Sequence, residues 1–141
     1  MKRNLIGILS LVVMAVLISA TGASAQSYAK ADVPFAFTVG SALMPAGTYE
    51  VKNAGASAIV IQNDETSAAA MSNAGREQPR HTGAKLVFHR VGNTYFLAEV
   101  WRSSSAEGMI IPTSKQEKEL DKELRASNSP SGPEDVIVAL N

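Results

Sequence analysis

The chain contains 141 residues, with 13 basic and 13 acidic side chains, eight aromatic residues and no cysteine. A chain of this length corresponds to one domain at most. Its balanced charge gives no electrostatic signature of a nucleic-acid partner or of binding to an anionic membrane. Because cysteine is absent, disulfide scaffolds, thiolate metal sites, iron–sulfur clusters and cysteine nucleophiles are excluded.

The N-terminal segment has the pattern of a secretory signal peptide. Lys2 and Arg3 precede an apolar run from Leu5 to Ile18, and Ala23-Ser24-Ala25 places small residues before Gln26, as signal peptidase requires. The apolar run of 14 residues is too short for a helix that spans a hydrocarbon core of about 30 Å. We therefore expect the export machinery and signal peptidase as partners, cleavage between Ala25 and Gln26, and a periplasmic or extracellular product with no stable membrane insertion.

The mature region, residues 26–141, is predicted to form a single β-rich domain. Phe35, Phe37 and Val39 alternate with smaller residues, which is typical of a half-buried strand. Met44-Pro45-Ala46-Gly47 has the composition of a β-turn. Further short runs between turn residues cover 48–52, 57–62 and the alanine-rich segment 66–72, which could also be helical. Residues 73–83 are predicted to form a polar loop.

The clearest predicted element is a β-hairpin. Ala84–Val91 and Thr94–Arg102 flank Gly92-Asn93, a two-residue connection that suits a primed turn because both residues tolerate positive φ. Pairing Val91 with Thr94 fixes the register, and both predicted faces are largely apolar, so we expect a central hairpin covered on both sides. One predicted face carries Leu86, Phe88, Arg90, Tyr95, Leu97, Glu99 and Trp101, and the other carries Val87, His89, Val91, Thr94, Phe96, Ala98 and Val100.

The pattern changes after residue 113. Ser114-Lys115-Gln116-Glu117 has the form of a capping box, in which the Ser hydroxyl and the Glu carboxylate each satisfy an unpaired backbone N–H. We expect a charged helix over residues 115–126, a linker over 128–133 and a last strand over 135–140. One helix and about seven short strands predict an all-β domain, a mainly antiparallel barrel or sandwich, with one α-helix in its C-terminal half.

Neither histidine has the neighbours that a metal or catalytic site requires. His81 lies in the polar loop with Arg76 and Arg80, where a solvated loop is favoured over an anion site. His89 faces Phe96 in the predicted register without a carboxylate across from it, which favours a partly buried, hydrogen-bonded histidine over a metal ligand. The motifs of serine hydrolases, zinc proteases and phosphate-binding loops are also absent from the sequence. We therefore predict no catalytic residue, no metal and no cofactor.

Glu99 and the aromatic face of the hairpin are the remaining candidates. A carboxyl between Leu97 and Trp101 could act as an acid, but a second catalytic carboxylate is not identifiable. An ion pair of Glu99 with Arg90 or Lys85 is therefore favoured. The possible ligand face, suited to an apolar ligand or a sugar ring, consists of Phe88, Tyr95, Trp101 and Glu99. The favoured alternative is that the helix and the last strand cover this face, because large open apolar patches are rare.

Two motifs resemble those of a family of small exported bacterial proteins of unknown function. Residues 33–40 match its pattern V-P-F-x-F-x-V-G, and residues 43–51 match L-P-A-G-x-Y-x-V, with Met44 in place of the usual Leu before Pro45. The similarity covers most of residues 30–113. The resemblance implies export and a β fold, and it implies no activity because the family has none assigned.

Three functions follow from these observations. The favoured hypothesis is a non-enzymatic, exported β-domain with a binding or structural role in the envelope or outside the cell. The first alternative is a small hydrolase-type enzyme that uses Glu99 or His89. The second is an assembly subunit joined through strand addition by the C-terminal residues 135–140.

Overall fold

The structure is a computed structural model that describes residues 29–77, 83–102, 107–127 and 132–141. The predicted signal peptide, its cleavage site at Ala25 and Gln26, the loop residues Arg80 and His81, and the first part of the predicted linker lie outside the described residues.

Eleven strands and one helix make up the described part of the chain. The strands are β1 (Ala29–Val33), β2 (Phe37–Val39), β3 (Ala42–Met44), β4 (Gly47–Asn53), β5 (Ala58–Gln62), β6 (Ser67–Met71), β7 (Asn73–Glu77), β8 (Lys85–Val91), β9 (Thr94–Trp101), β10 (Glu107–Ile110) and β11 (Glu134–Ala139), and helix α1 spans Lys115–Ala126. The prediction of an all-β domain with one helix is confirmed. The alanine-rich segment, for which a helix was the alternative, forms strand β6.

The strands form two sheets. The four-stranded sheet has the antiparallel order β1-β4-β5-β6, and the seven-stranded sheet has the order β11-β8-β9-β10-β7, with β2 parallel to β9 and β3 paired with β2. Both sheets contribute to one hydrophobic core. The described strands therefore form a sandwich, one of the two architectures that the sequence predicted, and not a closed barrel.

Aromatic residues occupy the middle of the sandwich. Phe37 contacts Tyr49 of the four-stranded sheet and Phe88 of the seven-stranded sheet edge to face, with ring centroids 5.3 and 5.2 Å apart. Phe35 makes the same contact with Phe88 at 5.2 Å and stacks on Tyr95 at 4.0 Å. Such edge-to-face and stacked pairs add to the gain from burial alone, so the β2 segment links the two sheets.

A β-bulge in β9 changes the predicted register of the hairpin. The pairs from Val91 with Thr94 to Phe88 with Leu97 follow the prediction, but Val87 then pairs with Glu99, so Ala98 is an extra residue in β9. The Ala98 carbonyl accepts a hydrogen bond from the Ile111 N–H at 2.8 Å. Because one additional residue moves every later side chain to the opposite face, the predicted positions of Glu99, Val100 and Trp101 were wrong.

A hydrogen bond within the second motif explains why the turn and the tyrosine occur together. The Tyr49 hydroxyl donates to the Pro45 carbonyl four residues earlier, with an O–O distance of 2.6 Å, and the Tyr49 side chain is fully buried. This is the geometry of the tyrosine corner found in other β-sandwiches. The bond fixes the turn before β4 to the core while it satisfies a hydroxyl that would otherwise be buried without a partner.

Substitution of Tyr49→Phe removes this bond without changing the packed ring. We expect the free energy of unfolding to fall by about 0.5–1.5 kcal/mol, because the hydrogen bond between the buried ring and the turn is lost. The matched control is Tyr95→Phe, since Tyr95 is half-buried and its hydroxyl makes no hydrogen bond within the described residues. Urea unfolding of the three proteins measures the difference, and equal losses in both variants would contradict this role of the Tyr49 hydroxyl.

Candidate functional site

Helix α1 packs on the outer face of the seven-stranded sheet, against β8 and the turn that follows it. Ser114 caps the helix by accepting a hydrogen bond from the Glu117 N–H at 3.1 Å. At the far end, Leu124 lies over the hairpin turn, where a Cβ atom on Gly92 would be only 3.2 Å from Leu124 Cδ1. Gly92 also has a φ of 62°, so the turn conformation and the closeness of the helix both favour glycine.

His89 and Glu117 join the middle of β8 to the first turn of the helix. The distance from His89 Nδ1 to Glu117 Oε1 is 2.8 Å, and Glu117 is buried, with 6% of its surface exposed. On the other side of the imidazole, Nε2 lies 3.8 Å from Asp135 Oδ1 of β11. His89 is therefore held between two carboxylates that come from different elements of the fold.

The surroundings of His89 raise its pKa above the ordinary value of 6.5, chiefly through the hydrogen bond to Glu117. Burial acts in the opposite direction, and the negative charges of Glu117, Asp135 and Glu99 act with the hydrogen bond. The protonated imidazole is thus favoured, since both of its N–H groups face acceptors of negative charge.

The capping-box prediction was correct for one of its two bonds. The Ser114 hydroxyl accepts from the Glu117 N–H, but the Glu117 carboxylate contacts His89 of the sheet. Sequence reasoning placed no carboxylate near His89 because it considered only the paired strand. The signal available in the sequence was an acid in the first turn of a helix with few apolar residues, since such a helix needs polar contacts to hold it on a sheet.

Glu99 has a different partner from those expected. Trp101 Nε1 donates a hydrogen bond to Glu99 Oε2 at 2.7 Å. Arg90 pairs instead with Glu134 of β11, at 3.5 Å, and Lys85 places its ammonium 5.9 Å from the centre of the Trp101 ring. The expected ion pair of Glu99 with Arg90 or Lys85 is therefore not found among the described residues. The bulge turns Glu99 away from the face that carries Arg90, and the Lys85 ammonium lies over the Trp101 ring instead.

The four residues of the possible ligand face do not share a face. Phe88 is fully buried in the core between the sheets, and Tyr95 packs against the same core. Glu99 and Trp101 lie on the outer face of the seven-stranded sheet, and Trp101 is only 3% exposed. The expectation that these four residues share one face was wrong, because it assumed a hairpin without a bulge.

The ring of Trp101 packs directly on the backbone of β10. A Cβ atom on Gly108 would lie 2.6 Å from ring atoms of Trp101. Such a distance is not tolerated, so Gly108 is required for this close approach of ring and backbone. The pairing of β10 with β7 is irregular between Glu107 and Met109, on either side of this glycine.

A separate depression lies on the outer face of the four-stranded sheet. Its volume is about 240 Å³. Polar side chains form most of its wall, and they are Lys30, Thr48, Glu50, Gln62, Asn63 and Asp64. Asn63 already accepts hydrogen bonds from the main chain of Glu65 and Thr66, so part of this wall serves the β5–β6 turn. Sequence reasoning did not identify this depression, because its residues are brought together from three strands.

The comparisons with known proteins give no match from which a function could be transferred. No protein-family model matches the chain, and no curated protein or solved structure is significantly similar to it. Within the described residues, groups of three or more His, Asp and Glu side chains suited to a metal ion are not found. The helix among these residues is neither long nor apolar enough to cross a membrane.

The His89–Glu117 contact makes the stability of the fold dependent on pH. The folded protein holds the His89 proton more tightly than the unfolded chain, whose histidine pKa is near 6.5. The contact therefore contributes fully below pH 6.5, and its contribution is lost as pH rises through the raised pKa of the folded state. We expect the stability advantage of the wild type over His89→Gln to shrink across this interval, measured by urea unfolding between pH 5.5 and 9. Because His81 is present in both proteins, parallel pH profiles would refute the assignment to His89.

Substitution of Gly108→Ala tests the packing of Trp101. We expect a loss of about 1–3 kcal/mol in the free energy of unfolding, because the new methyl group overlaps the ring. Trp101 is the single tryptophan, so its emission reports the displacement directly. The matched control is Gly47→Ala, whose Cβ would meet its neighbours at an ordinary 3.7 Å. A similar red shift of the Trp101 emission and a similar loss of stability in both variants would show that overlap with the Trp101 ring is not the cause of these changes.

Proposed function

We propose that the protein is an exported, non-enzymatic β-sandwich domain with a binding or structural role in the cell envelope or outside the cell. The observation that carries this proposal is the pairing of its acid–base groups. His89 contacts Glu117 and Asp135, and Glu99 accepts a hydrogen bond from Trp101. The His89 contacts hold β8 to α1 and to β11, and the Glu99 carboxylate is satisfied by Trp101 within β9, which is a structural use of these side chains.

Chemistry at these groups would need an additional reactive partner. A hydrolase requires a nucleophile or activated water beside the general base, and a group that stabilises the developing charge. Within the described residues, the ion-pair and hydrogen-bond partners of the His89 imidazole are carboxylates. Both carboxylates contact the imidazole itself, and within the described residues no hydroxyl, ammonium or guanidinium group makes a hydrogen bond or ion pair with His89. These contacts favour the non-enzymatic hypothesis over the hydrolase alternative.

Export is supported by the N-terminal sequence and by the resemblance to exported bacterial proteins. The charged start, the apolar run and the Ala-Ser-Ala ending fit the requirements of signal peptidase. A sandwich that buries a continuous core without cysteine needs no disulfide to be stable after export. An exported, stable sandwich of this kind is suited to a role in which its surface contacts other molecules.

The proposal of export predicts a defined N-terminus. When the full chain is expressed in a Gram-negative bacterium, we expect a product in the periplasm or medium whose intact mass begins at Gln26. The control is Ala25→Arg, which places a large charged residue at the cleavage position and should leave the uncleaved precursor at the membrane. Intact-mass spectrometry of each fraction distinguishes the two. Accumulation of the uncleaved wild-type chain in the cytoplasm would contradict export.

The non-enzymatic assignment is tested with the same purified product. We expect it to hydrolyse chromogenic ester, phosphate and glycoside substrates no faster than the variants His89→Gln and Glu99→Gln. The matched control is Glu65→Gln, an exposed carboxylate in the turn between β5 and β6. Turnover that the wild type and the Glu65 variant share, and that the other two variants lose, would establish the hydrolase alternative instead.

A further inference from the structure

We propose that helix α1 is a pH-controlled cover of the seven-stranded sheet: protonated His89 keeps the helix docked, and loss of this proton favours its release. The release is a local opening in which the two sheets keep their structure. The inference concerns the conformation of one element, and it is independent of export and of the absence of enzymatic activity.

The apolar contacts of α1 with the sheet are few. Within the described residues, the core cluster between the sheets includes no residue of the helix. The two leucines of α1, Leu120 and Leu124, are only half-buried. A helix of 12 residues is also marginally stable in water when it has nothing to pack against. The docking of α1 therefore depends on its polar contacts with the sheet.

Glu117 makes the polar contact that joins the helix to the sheet. It is the one buried residue of α1, at 6% exposure, and its Oε1 lies 2.8 Å from His89 Nδ1. Within the described residues, Glu117 forms no other ion pair. A neutral imidazole can still donate one N–H to this carboxylate, but docking then buries a negative charge with no positive charge beside it, which is unfavourable. Release returns the carboxylate to water.

The other acidic groups that act on His89 remain on the sheet when the helix leaves. Asp135 of β11 lies 3.8 Å from Nε2, and the charge of Glu99 in β9 also favours the protonated imidazole. Apart from Glu117 and Asp121, the charged residues of α1 are exposed. Other charged side chains near the contact have partners of their own, in the pairs Lys85 with Trp101, Arg90 with Glu134 and Asp121 with Arg125. Glu117 is therefore the group that makes docking depend on the charge of His89.

Docking of the helix and binding of the proton are thus linked. In the docked state, the hydrogen bond to Glu117 raises the pKa of His89 above 6.5, although partial burial acts against it. Release removes this hydrogen bond. Docking is therefore strongest below pH 6.5 and weakens as pH rises through the raised pKa of the docked state. Because one proton is involved, the docking equilibrium constant falls by at most about tenfold per pH unit in this interval.

The chain on either side of α1 is fixed to the sheet by contacts that do not involve the helix. Before it, the Ile111 N–H donates to the Ala98 carbonyl at 2.8 Å. After it, β11 pairs with β8 from Glu134 onwards. Strands β10 and β11 can therefore stay paired while α1 leaves, which is the condition for a local opening rather than unfolding of the domain.

Release of α1 increases the exposure of apolar side chains at the turn end of the hairpin. The helix contacts this face of the sheet at His89 and at Gly92. Val91 lies between these two contacts, and Phe96 is the partner of His89 in β9. Both side chains are 2% exposed, and neither belongs to the core cluster between the sheets. The apolar surface beneath the helix is thus accessible only in the released state.

Native-state amide hydrogen exchange, read by mass spectrometry of peptides, measures the release. Protection factors, which remove the intrinsic pH dependence of exchange, are compared between pH 5.5 and 8.5 for the middle turns of α1 and for β4. We expect α1 to be at least about tenfold less protected than β4 at every pH, because it opens locally. We also expect the protection of α1 to fall above pH 6.5, with a slope of up to about tenfold per pH unit.

Two matched substitutions on either side of the imidazole test the origin of this fall. Glu117→Gln removes the carboxylate that moves with the helix, so the protection of α1 should no longer depend on pH. Asp135→Asn makes the same change in the carboxylate that stays on the sheet. Its α1 protection should still fall, over a lower pH range, because a charge that favours the proton is gone. His89→Gln should behave as Glu117→Gln does.

Three results would overturn the proposal. Protection of α1 equal to or above that of β4 at every pH would show that the helix leaves only when the whole domain unfolds. Protection that does not change with pH in the wild type would show that the charge of His89 does not control docking. A fall that persists in Glu117→Gln or His89→Gln, or that is lost in Asp135→Asn, would show that the contact of His89 with Glu117 is not its cause.

Discussion

Burial of both faces of the β8–β9 hairpin is the constraint on which the rest of the structure depends. Its inner face is covered by the four-stranded sheet through a shared core, and on its outer face α1 lies against β8 while Trp101 packs on the backbone of β10. The helix brings few apolar side chains to this contact. Hydrophobic burial therefore contributes little to holding α1 on the sheet. Two specific contacts hold it there as well, the one between His89 and Glu117 and the packing of Leu124 on Gly92.

The bulge at Ala98 reconciles two requirements of β9 that a regular strand could not satisfy together. Leu97 and Val100 both belong to the core, although they are three residues apart and would face opposite sides of a regular strand. The additional residue brings Val100 inward and moves Glu99 and Trp101 outward, where the indole donates to the carboxylate. The acidic group is thus removed from the core and given a partner in the same step.

Local signals account for what the sequence predicted correctly. Gly92-Asn93 specified the hairpin turn, and Ser114 specified the start of the helix, because both act within a few residues of the chain. The bulge and the contacts of His89, Glu99 and Arg90 were missed because they depend on which strands and helix pack together. Strands β7 and β10 likewise have little alternation of their own and are fixed by their neighbours. The pattern of apolar residues could therefore identify the hairpin as central without locating a site on it.

Two of the outer strands, β6 and β11, also differ in what protects them. Strand β6 is uncharged and rich in alanine, a composition that would permit edge-to-edge pairing, and the Gly40 turn lies against its outward carbonyl. Strand β11 carries Glu134 and Asp135 at one end and is joined to β1 at the other, yet its centre contains an exposed isoleucine. The outward edge of β11 is covered at its C-terminal end by β1, since Lys30 and Asn141 exchange main-chain hydrogen bonds and Ala31 pairs with Leu140. Each of these two strands is therefore protected over part of its edge by a segment that is distant in the sequence, and at β11 the protecting strand also joins the two sheets of the sandwich.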